Sequence, residues 1–265
     1  MRCRLCNDDK LFLYYTQGNQ GQYKFFKCRK CKLINYDLSA GQDQLKYTGW
    51  RYIHPDEKQH KQNIDQANTF YFIRRRLKRP GKLLDIGCGN GKLLVMARDY
   101  GWEVKGLELS ESLAVNIRQM FGIEVAVANF LTYENPHDTS RYDVVILRHV
   151  LEHLPDSILA MTKIYDLLNP NGHAVMEFPD IESLNCKIKR FLSRVGIRRK
   201  KYKEAYKPGH CNEFSRQSFN YLLNATGFKL LEWQYYSSKP FMSVLYQILP
   251  IGSKVRVLIV KKGNG

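Results

Sequence analysis

Four of the seven cysteines stand in two C-x2-C pairs near the start of the chain, Cys3 with Cys6 and Cys28 with Cys31. Each pair can turn two thiolates toward one point, and two pairs complete the tetrahedral sulfur shell that Zn²⁺ prefers. Between them, the strand-like segments LFLYYT and QYKFFK flank the turn-rich spacer QGNQG. Residues 1–40 are therefore predicted to form a zinc ribbon. Four protein ligands leave no open position on the metal, so its role is structural.

Glycines follow a short apolar segment in LLDIGCGNGKLL, residues 83–94. Glycine lets the backbone approach a ligand where a Cβ would collide with it. A P-loop needs a hydroxyl where Leu93 stands, and a dinucleotide site needs G-x-G-x-x-G where this chain has G-x-G-x-G. Asp85 would repel a pyrophosphate but suits a cationic amine. Glu108, which ends the next predicted strand, can accept hydrogen bonds from both hydroxyls of a ribose.

Candidate bases cluster in RHVLEHLPD, where His149, Glu152 and His153 follow a predicted strand. Histidine exchanges a proton near neutral pH and suits general-base catalysis. His149 is favoured because it comes first after the strand, and His210 in PGHCNEFS is the other candidate; each could also be a hydrogen-bonded scaffold histidine. The string matches the zinc-peptidase pattern H-x-x-E-H, but that pattern requires a long helix, and here Pro155 interrupts the segment.

Apolar periodicity predicts the elements that position these residues. A basic helix ends at Pro80-Gly81, and after it strands and helices alternate, which predicts an α/β, Rossmann-like doubly wound sheet with helices on both faces. Ligands of such sheets bind at the carboxyl ends of the strands. The predicted segments are strands 82–86, 102–110, 123–127, 142–148 and 173–178, helices 91–101, 111–121 and within 156–168, a turn at 169–172, and a hairpin of strands 228–236 and 254–260.

Five motifs in this order resemble the class I S-adenosylmethionine-dependent methyltransferases, in a UbiG-like or sugar-methyltransferase-like branch. They are LDIGCGNG, GLELS, YDVVILRHVLEHLPD, LLNPNGHAVMEF and HCNEFSRQSFNYLLNATGFKLLE. The resemblance covers about residues 45–262. It implies a seven-stranded sheet, with residues 41–80 as a helical lid or linker. Residues 81–265 would form the methyltransferase domain, with a basic insert at 182–210.

The resemblance implies S-adenosylmethionine as the cofactor. Leu109 would lie against the adenine, and Asn129 stands where the family usually has an acidic or polar partner for the adenine amine. Tyr47 and Tyr52 resemble an aromatic lid or are packing residues. The predicted cofactor-binding residues are Asp85, Gly87, Cys88, Gly89, Gly91, Glu108, Leu109, Asn129, Phe130 and Arg148.

The same resemblance addresses the histidine cluster. Glu152 and His153 more often cap and orient the next helix in this family. His210 would be delivered over the site by the segment after the fifth strand. The candidate catalytic residues are His149, His210 and His153.

The net charge of +17 predicts an anionic partner. Residues 187–207 hold ten Lys or Arg against one acid, Glu204, and follow apolar residues at helical spacing from Leu184 to Val195. This basic amphipathic helix either packs its apolar stripe on the core or meets membrane headgroups, a phosphorylated glycan carrier or RNA. No apolar stretch approaches 18 residues, so no membrane span is predicted. A cytoplasmic protein is expected, with peripheral contact to the inner membrane face left open.

Three hypotheses follow for the function. The first is methylation of a small or lipid- or nucleotide-linked sugar acceptor, at a hydroxyl, in surface-polysaccharide or secondary-metabolite biosynthesis. The second is a zinc-ribbon methyltransferase of ribosomal RNA, in which the ribbon and the basic surface grip a phosphate backbone. The third is a non-catalytic scaffold, which the intact set of Asp85, glycines and Glu108 argues against.

Overall fold

The computed structural model of the chain describes residues 1–43, 57–134, 141–197, 201–237, 246 and 252–262. The helices in these ranges are α1 (Glu57–Arg76), α2 (Lys92–Asp99), α3 (Glu111–Phe121), α4 (Ser157–Leu167), α5 (Leu184–Arg194) and α6 (Arg216–Ala225). The strands are β1 (Leu11–Gln17), β2 (Tyr23–Cys28), β3 (Ile34–Tyr36), β4 (Lys82–Ile86), β5 (Glu103–Glu108), β6 (Val125–Val127), β7 (Tyr142–Arg148), β8 (Leu168–Pro179), β9 (Asn212–Glu213), β10 (Phe228–Tyr235) and β11 (Lys254–Lys261). Tyr47 and Tyr52 lie outside the described residues.

The larger sheet of the described residues has seven strands, in the order β10-β11-β8-β7-β4-β5-β6. The five strands β8, β7, β4, β5 and β6 run parallel to one another, whereas β11 is antiparallel to both β8 and β10. One face packs on α4 and α6, and the other on α1, α2 and α3. The inner strands are apolar on both sides because both faces are covered. The predicted Rossmann-like, doubly wound sheet of seven strands is confirmed.

The site edge of the sheet is set by strand register. Ile86 at the end of β4 pairs with Leu107 of β5 and with Leu147 of β7. The loops that follow these three strands therefore meet at one edge. Helix α3 matches its predicted bounds because Gly122 ends it in the left-handed conformation, with φ +63°.

The predicted turn at residues 169–172 is instead a bulge within β8. The strand pairs with β7 at Leu168 and again from His173 onward, so the residues between protrude from the ladder. Asn171 has a φ of +61° there, a conformation that asparagine tolerates better than most residues. The strand is therefore longer than the sequence pattern indicated.

The smaller sheet has the order β1-β2-β3-β9. Its last strand comes from far along the chain, because Asn35 of β3 pairs with Asn212 of β9. Buried Cys3, Leu5 and Leu33 belong to the same apolar core as the central sheet. The sheet of the first lobe thus extends beyond residues 1–40 and shares its core with the rest of the molecule.

Helix α5, within the basic insert, turns apolar residues outward. Leu184, Ile188 and Phe191 are 51%, 49% and 63% exposed. The sequence analysis gave packing on the core as one of two alternatives for this apolar stripe. These three side chains do not pack on the core. In the part of the chain that the structure describes, no helix has both the length and the apolar character to cross a bilayer.

Candidate active site and metal centre

The glycine loop after β4 leaves room for a ligand. Gly87, Gly89 and Gly91 have φ values of +75°, +59° and +72°, which side chains with a Cβ rarely adopt. A Cβ on Gly87 would lie 2.5 Å from Val150, and one on Gly91 would lie 2.8 Å from Ile117. A Cβ on Gly89 would meet no atom of the described residues within 4 Å. The first and third glycines are therefore needed for packing, and the second faces open space.

Asp85, at the end of β4, is buried. Its Oδ1 atom has no hydrogen-bond partner among the residues that the structure describes. Burial raises the pKa of Asp85 to about 7; Arg148 opposes this rise, and Glu108 and Glu177 add to it. A buried carboxylate oxygen without a partner favours a cationic ligand. The residue therefore fits the amine of S-adenosylmethionine.

Glu108 ends the neighbouring strand β5 with its carboxylate turned to the glycine loop. Its Oε2 accepts a hydrogen bond from the Gly89 N–H at 2.8 Å, and its Oε1 accepts from the N–H groups of Leu109 and Ser110. Burial raises the pKa of Glu108, while these backbone hydrogen bonds lower it, and the net direction is upward. Oε1 already accepts two bonds, whereas Oε2 accepts one and can accept a further bond, so the group fits a ribose hydroxyl at Oε2. Leu109 is 36% exposed beside it.

Three of the other predicted cofactor residues take part in local packing. Cys88 and Phe130 are buried in the cores on opposite faces of the sheet. Asn129 closes the turn after β6, where its Oδ1 accepts from the Leu131 N–H at 3.0 Å. Their roles toward the donor stay predictions.

His149 is the first residue after β7 and has a φ of +55°. Its Nδ1 lies 3.3 Å from Glu152 Oε1, and its Nε2 lies 3.0 Å from the Tyr236 hydroxyl. Left-handed backbone at a non-glycine residue costs free energy and clusters at functional sites. The next residue is Val150, which occupies the space that a side chain on Gly87 would need. His149 is therefore held directly beside the glycine loop.

The other predicted catalytic residues converge at the same place. The possible ligand atoms of Glu152, His153 and His210 lie within 4.8 Å of one another. The two imidazole rings are 4.7 Å apart between centroids and nearly perpendicular. Burial would raise the pKa of Glu152, but the hydrogen bond from His149 and the charges of the three histidines lower it to about 2. Glu152 is thus an ionised carboxylate inside a histidine cluster.

The resemblance implies that Glu152 and His153 cap the following helix, but the structure shows that they do not. Asp156 caps α4, because its Oδ1 accepts from the backbone N–H three residues on, at 2.8 Å. His153 Nδ1 instead lies 2.9 Å from the carbonyl oxygen of Gly209. Since a carbonyl only accepts, that nitrogen carries the proton. The loop after β7 is thereby tied to the segment that carries His210.

Glu177 is a buried residue of the site that the sequence analysis did not single out. Its carboxylate accepts hydrogen bonds from four side chains, those of Thr69, Arg148, Tyr236 and Arg256. Burial would raise the pKa of Glu177, but Arg256 and Arg148 hold it well below its usual range. The sequence signal that could have identified Glu177 is its position as the one acid in the apolar run HAVMEF, residues 173–178. The predicted cofactor residue Arg148 is held by this network, which also fixes the tyrosine that contacts His149.

The four cysteines of the two C-x2-C pairs form one cage. Their Sγ atoms lie within 4.8 Å of one another, with Cys3 and Cys31 3.4 Å apart and Cys6 and Cys28 3.5 Å apart. A tetrahedral zinc with Zn–S bonds of about 2.3 Å separates its sulfurs by about 3.8 Å, so the cage fits Zn²⁺.

Arg4, inside the first cysteine pair, joins this cage to the histidine cluster. Its Nε donates to Asn212 Oδ1 at 3.1 Å, and its guanidinium also donates to the carbonyl of Cys211. The Cys211 N–H in turn donates to the carbonyl of Glu152 at 2.9 Å. The first lobe therefore holds Cys211 and Asn212, the two residues that directly follow His210. Sequence reasoning missed this link because its partners lie about 200 positions apart.

Residues 56–232, more than half of the chain, match the sequence profile of a family described as a methyltransferase domain. The chain belongs to this methyltransferase family. It is 31% identical over 119 residues to the ubiquinone biosynthesis O-methyltransferase of Alkalilimnicola ehrlichii, a match that covers 43% of this chain and 46% of that protein. This methyltransferase thus spans about half the length of the curated relatives it matches.

Solved structures share the fold of this methyltransferase. The PH0226 protein from Pyrococcus horikoshii OT3 superposes with a TM-score of 0.59 at 16% identity, over 83% of this chain and 99% of that chain. The magnesium protoporphyrin IX methyltransferase from Synechocystis PCC 6803, solved with bound SAH, gives a TM-score of 0.55 at 15% identity, over 82% and 92%. At such identities the likeness concerns the fold alone. Together with the family match, it confirms the predicted class I S-adenosylmethionine-dependent methyltransferase family.

Proposed function

We propose that this protein transfers the methyl group of S-adenosylmethionine to a hydroxyl oxygen of a small or carrier-linked acceptor. The observation that carries the proposal is the contact of the histidine loop with the glycine loop. Val150 follows His149 and fills the space over Gly87, so the candidate bases lie beside the place where the donor fits. Proton removal and methyl donation are thereby brought to one edge of the sheet.

When bound, the donor supplies an electrophilic methyl group on a positively charged sulfur. Asp85 would hold its amine and Glu108 its ribose. The chain's own part is to orient the acceptor and take its proton. Because His153 Nδ1 is protonated toward Gly209, Nε2 is the basic nitrogen of that ring. The ionised Glu152 stabilises the positive charge that a histidine of the cluster gains.

An oxygen acceptor is supported by the names of the relatives, which are O-methyltransferases. A hydroxyl needs a base because its own pKa is far above neutrality, and the histidine cluster supplies candidates. We assign the acceptor to sugars, as a glycan hydroxyl in surface-polysaccharide or secondary-metabolite biosynthesis. The support is the H-x3-F-S segment from His210 to Ser215, which resembles that branch.

The RNA-methyltransferase alternative receives less support from the zinc lobe. A single-strand platform needs exposed aromatic rings on which bases can stack. Tyr23 and Phe25 are buried and pack against Tyr36. These rings serve the core of the lobe, and the sugar acceptor remains the preferred proposal.

The test is methyl transfer from tritiated donor to separate pools of nucleotide sugars, lipid-linked sugars and ribosomal RNA. We expect label in a sugar pool. Replacing His149, His153 or His210 singly by Asn should lower kcat by about 100-fold for the residue that acts as base, with the donor Kd unchanged. His173→Asn is the matched control, because His173 lies in the middle of β8 and pairs with Val144, near the start of β7, whereas the histidine cluster follows the end of β7. Label in RNA, or full activity in all three variants, would contradict the proposal.

We also propose that this protein works in the cytoplasm and that α5 meets an anionic lipid surface. Three of its apolar side chains are exposed, and Lys187, Lys189 and Arg190 lie on the same helix. Exposed apolar residues flanked by cations are typical of helices that lie in the headgroup region. The positive charge of the insert is complementary to acidic lipids.

Sedimentation with lipid vesicles tests this contact. The protein should pellet with vesicles that contain phosphatidylglycerol and much less with phosphatidylcholine alone. Phe191→Glu should lower binding about tenfold or more, because it places a charge in the apolar face. Leu231→Glu is the control, since Leu231 is also exposed but lies on β10. Equal loss in both variants would contradict a specific role for α5.

A further inference from the structure

A cluster of possible metal ligands lies in the active site, apart from the four cysteines. It consists of Glu152, His153 and His210. We propose that these three residues bind a divalent first-row transition-metal ion. The site would make this protein a two-metal protein, with one structural zinc ion in the cysteine cage and one ion beside the methyl acceptor.

The first argument is geometric. One possible ligand atom from each of the three residues lies within 4.8 Å of the other two. A metal with ligands at about 2.1 Å needs them about 3 to 4 Å apart, so small side-chain rotations close the site. The two rings meet edge to face, with their centroids 4.7 Å apart.

The second argument is an unsatisfied oxygen. Glu152 is 1% exposed, and its Oε2 has no hydrogen-bond partner within the described ranges. Its other oxygen, Oε1, lies 3.3 Å from His149 Nδ1. A buried carboxylate oxygen without a partner is costly. A cation bound at Oε2 would remove that cost.

The third argument is the support behind each ligand. Metal-bound histidines usually donate their second ring N–H to a carbonyl or carboxylate, as His153 Nδ1 does toward Gly209 at 2.9 Å. His210 directly follows that glycine. The backbone of Cys211 is bonded to the carbonyl of Glu152 and to the guanidinium of Arg4. The ligand loops are therefore fixed to each other before any ion binds.

This ligand set differs from the peptidase pattern that the sequence contains. The H-x-x-E-H pattern would use both histidines of one helix, but His149 contacts Glu152 and Tyr236 through its two nitrogens. Leu151–His153 forms a short 3-10 turn rather than a long helix. The second imidazole comes instead from His210, 57 positions after His153 in the sequence.

Two imidazoles and one carboxylate select the kind of ion. Imidazole suits zinc, cobalt, nickel and iron, whereas Mg²⁺ and Ca²⁺ prefer oxygen ligands. Three protein ligands leave coordination positions open. If the proposed function holds, an acceptor hydroxyl would occupy one of them and lose its proton to a neighbouring histidine more easily. This last step rests on the proposed function, but metal binding itself does not.

The test is titration of Co²⁺ into the full-length protein after its cysteine cage has been loaded with zinc. Calorimetry should show one additional ion per chain, and absorption should show cobalt bands without the intense thiolate transitions of a cysteine site. His153→Asn, His210→Asn and Glu152→Gln should each weaken binding at least tenfold. His173→Asn is the matched control and should bind cobalt as the native protein does. Melting temperature and donor affinity show whether each variant is folded.

Absence of cobalt uptake in the zinc-loaded protein would overturn the proposal. Uptake that is equal in the native protein and in the three variants would overturn it too. Because no acceptor is present, the result is independent of the substrate assignment. Methyl transfer by a protein that binds no cobalt would reject only this metal site, whereas cobalt binding without donor binding would reject only the proposed function.

Discussion

Gly89 differs from its neighbours in facing open space. Its φ of +59° is nearly that of Gly122, φ +63°, and at both positions a Cβ would meet no described atom within 4 Å. Alanine should therefore cost a similar 1–2 kcal/mol of backbone strain at either site. Only at Gly89 would the added methyl group enter the space in which we expect the donor to bind.

We expect Gly89→Ala to weaken S-adenosylmethionine binding by about tenfold or more, whereas Gly122→Ala should leave it unchanged. Calorimetry measures the affinities, and thermal unfolding checks that both variants lose similar stability. Equal donor affinities would show that the space above Gly89 is not the donor site.

We expect Asp85 to lower the stability of the fold while it strengthens the binding of S-adenosylmethionine. The pKa of Asp85 rises from 3.8 in the unfolded chain to about 7 in the folded protein. Because the folded state binds the proton more tightly, the free energy of unfolding falls as pH increases between those two values. At about 1.4 kcal/mol per pH unit, the cost reaches up to about 4 kcal/mol above pH 7. Asp85→Asn removes it. We expect a melting temperature that rises more at pH 8 than at pH 5, together with weaker donor binding.

The pH dependence is the decisive part of that prediction. Arg148, Glu108 and Glu177 are the charged groups that act on Asp85, and they are the same in both proteins. A stability change that is equal at the two pH values would mean that Asp85 does not carry the raised pKa. Unchanged donor affinity would argue against its contact with the donor amine.

At the scale of elements, the zinc knuckle acts as a positioning device for the histidine cluster. Arg4 bonds to Asn212 and to the Cys211 carbonyl, and none of its hydrogen bonds within the described residues goes to the glycine loop. Arg4→Ala should therefore lower kcat on the order of tenfold through misplacement of His210. The donor Kd should not change.

The control for Arg4→Ala is Arg2→Ala. Arg2 is exposed, and its replacement removes the same charge. Arg4→Lys should restore part of kcat, since it keeps a donor near Asn212. A loss of donor affinity equal to the loss of kcat would indicate general destabilisation of the fold instead of local positioning.

Elements with their own start and stop signals could be predicted from the sequence. Helix α3 and strand β7 have the predicted bounds because Gly122 ends the one and an apolar run with polar flanks defines the other. The bulge in β8 could not be predicted, because NPNG is typical of a turn. The partners of Glu177 come from α1, β7, β11 and the residue after β10, and no local pattern encodes such contacts.

At the scale of the molecule, the lobe and the central sheet share one apolar core. Cys3, Leu5 and Leu33 pack in the same cluster as Phe178 and Phe214. We expect a single cooperative unfolding transition that is the same by far-ultraviolet circular dichroism and by tryptophan fluorescence. Removal of zinc with a strong chelator should lower the melting temperature of the whole transition.

Two separate transitions would contradict this shared core, as would a chelator effect confined to the first of them. The charge and the family could be predicted from the sequence, but this continuity could not. The order of the motifs along the chain places a zinc ribbon before a methyltransferase domain, but it does not indicate which surfaces of the two are in contact.

The pairing of Asn35 with Asn212 also bears on how such proteins arise and can be engineered. The sheet of the first lobe is completed by β9, from the second half of the chain, so the lobe cannot be transferred to another protein as an independent unit. Grafting it onto another enzyme would leave that strand edge unpaired, and deleting it here would remove the bonds that hold the segment after His210. Natural exchange between relatives should therefore involve both stretches together.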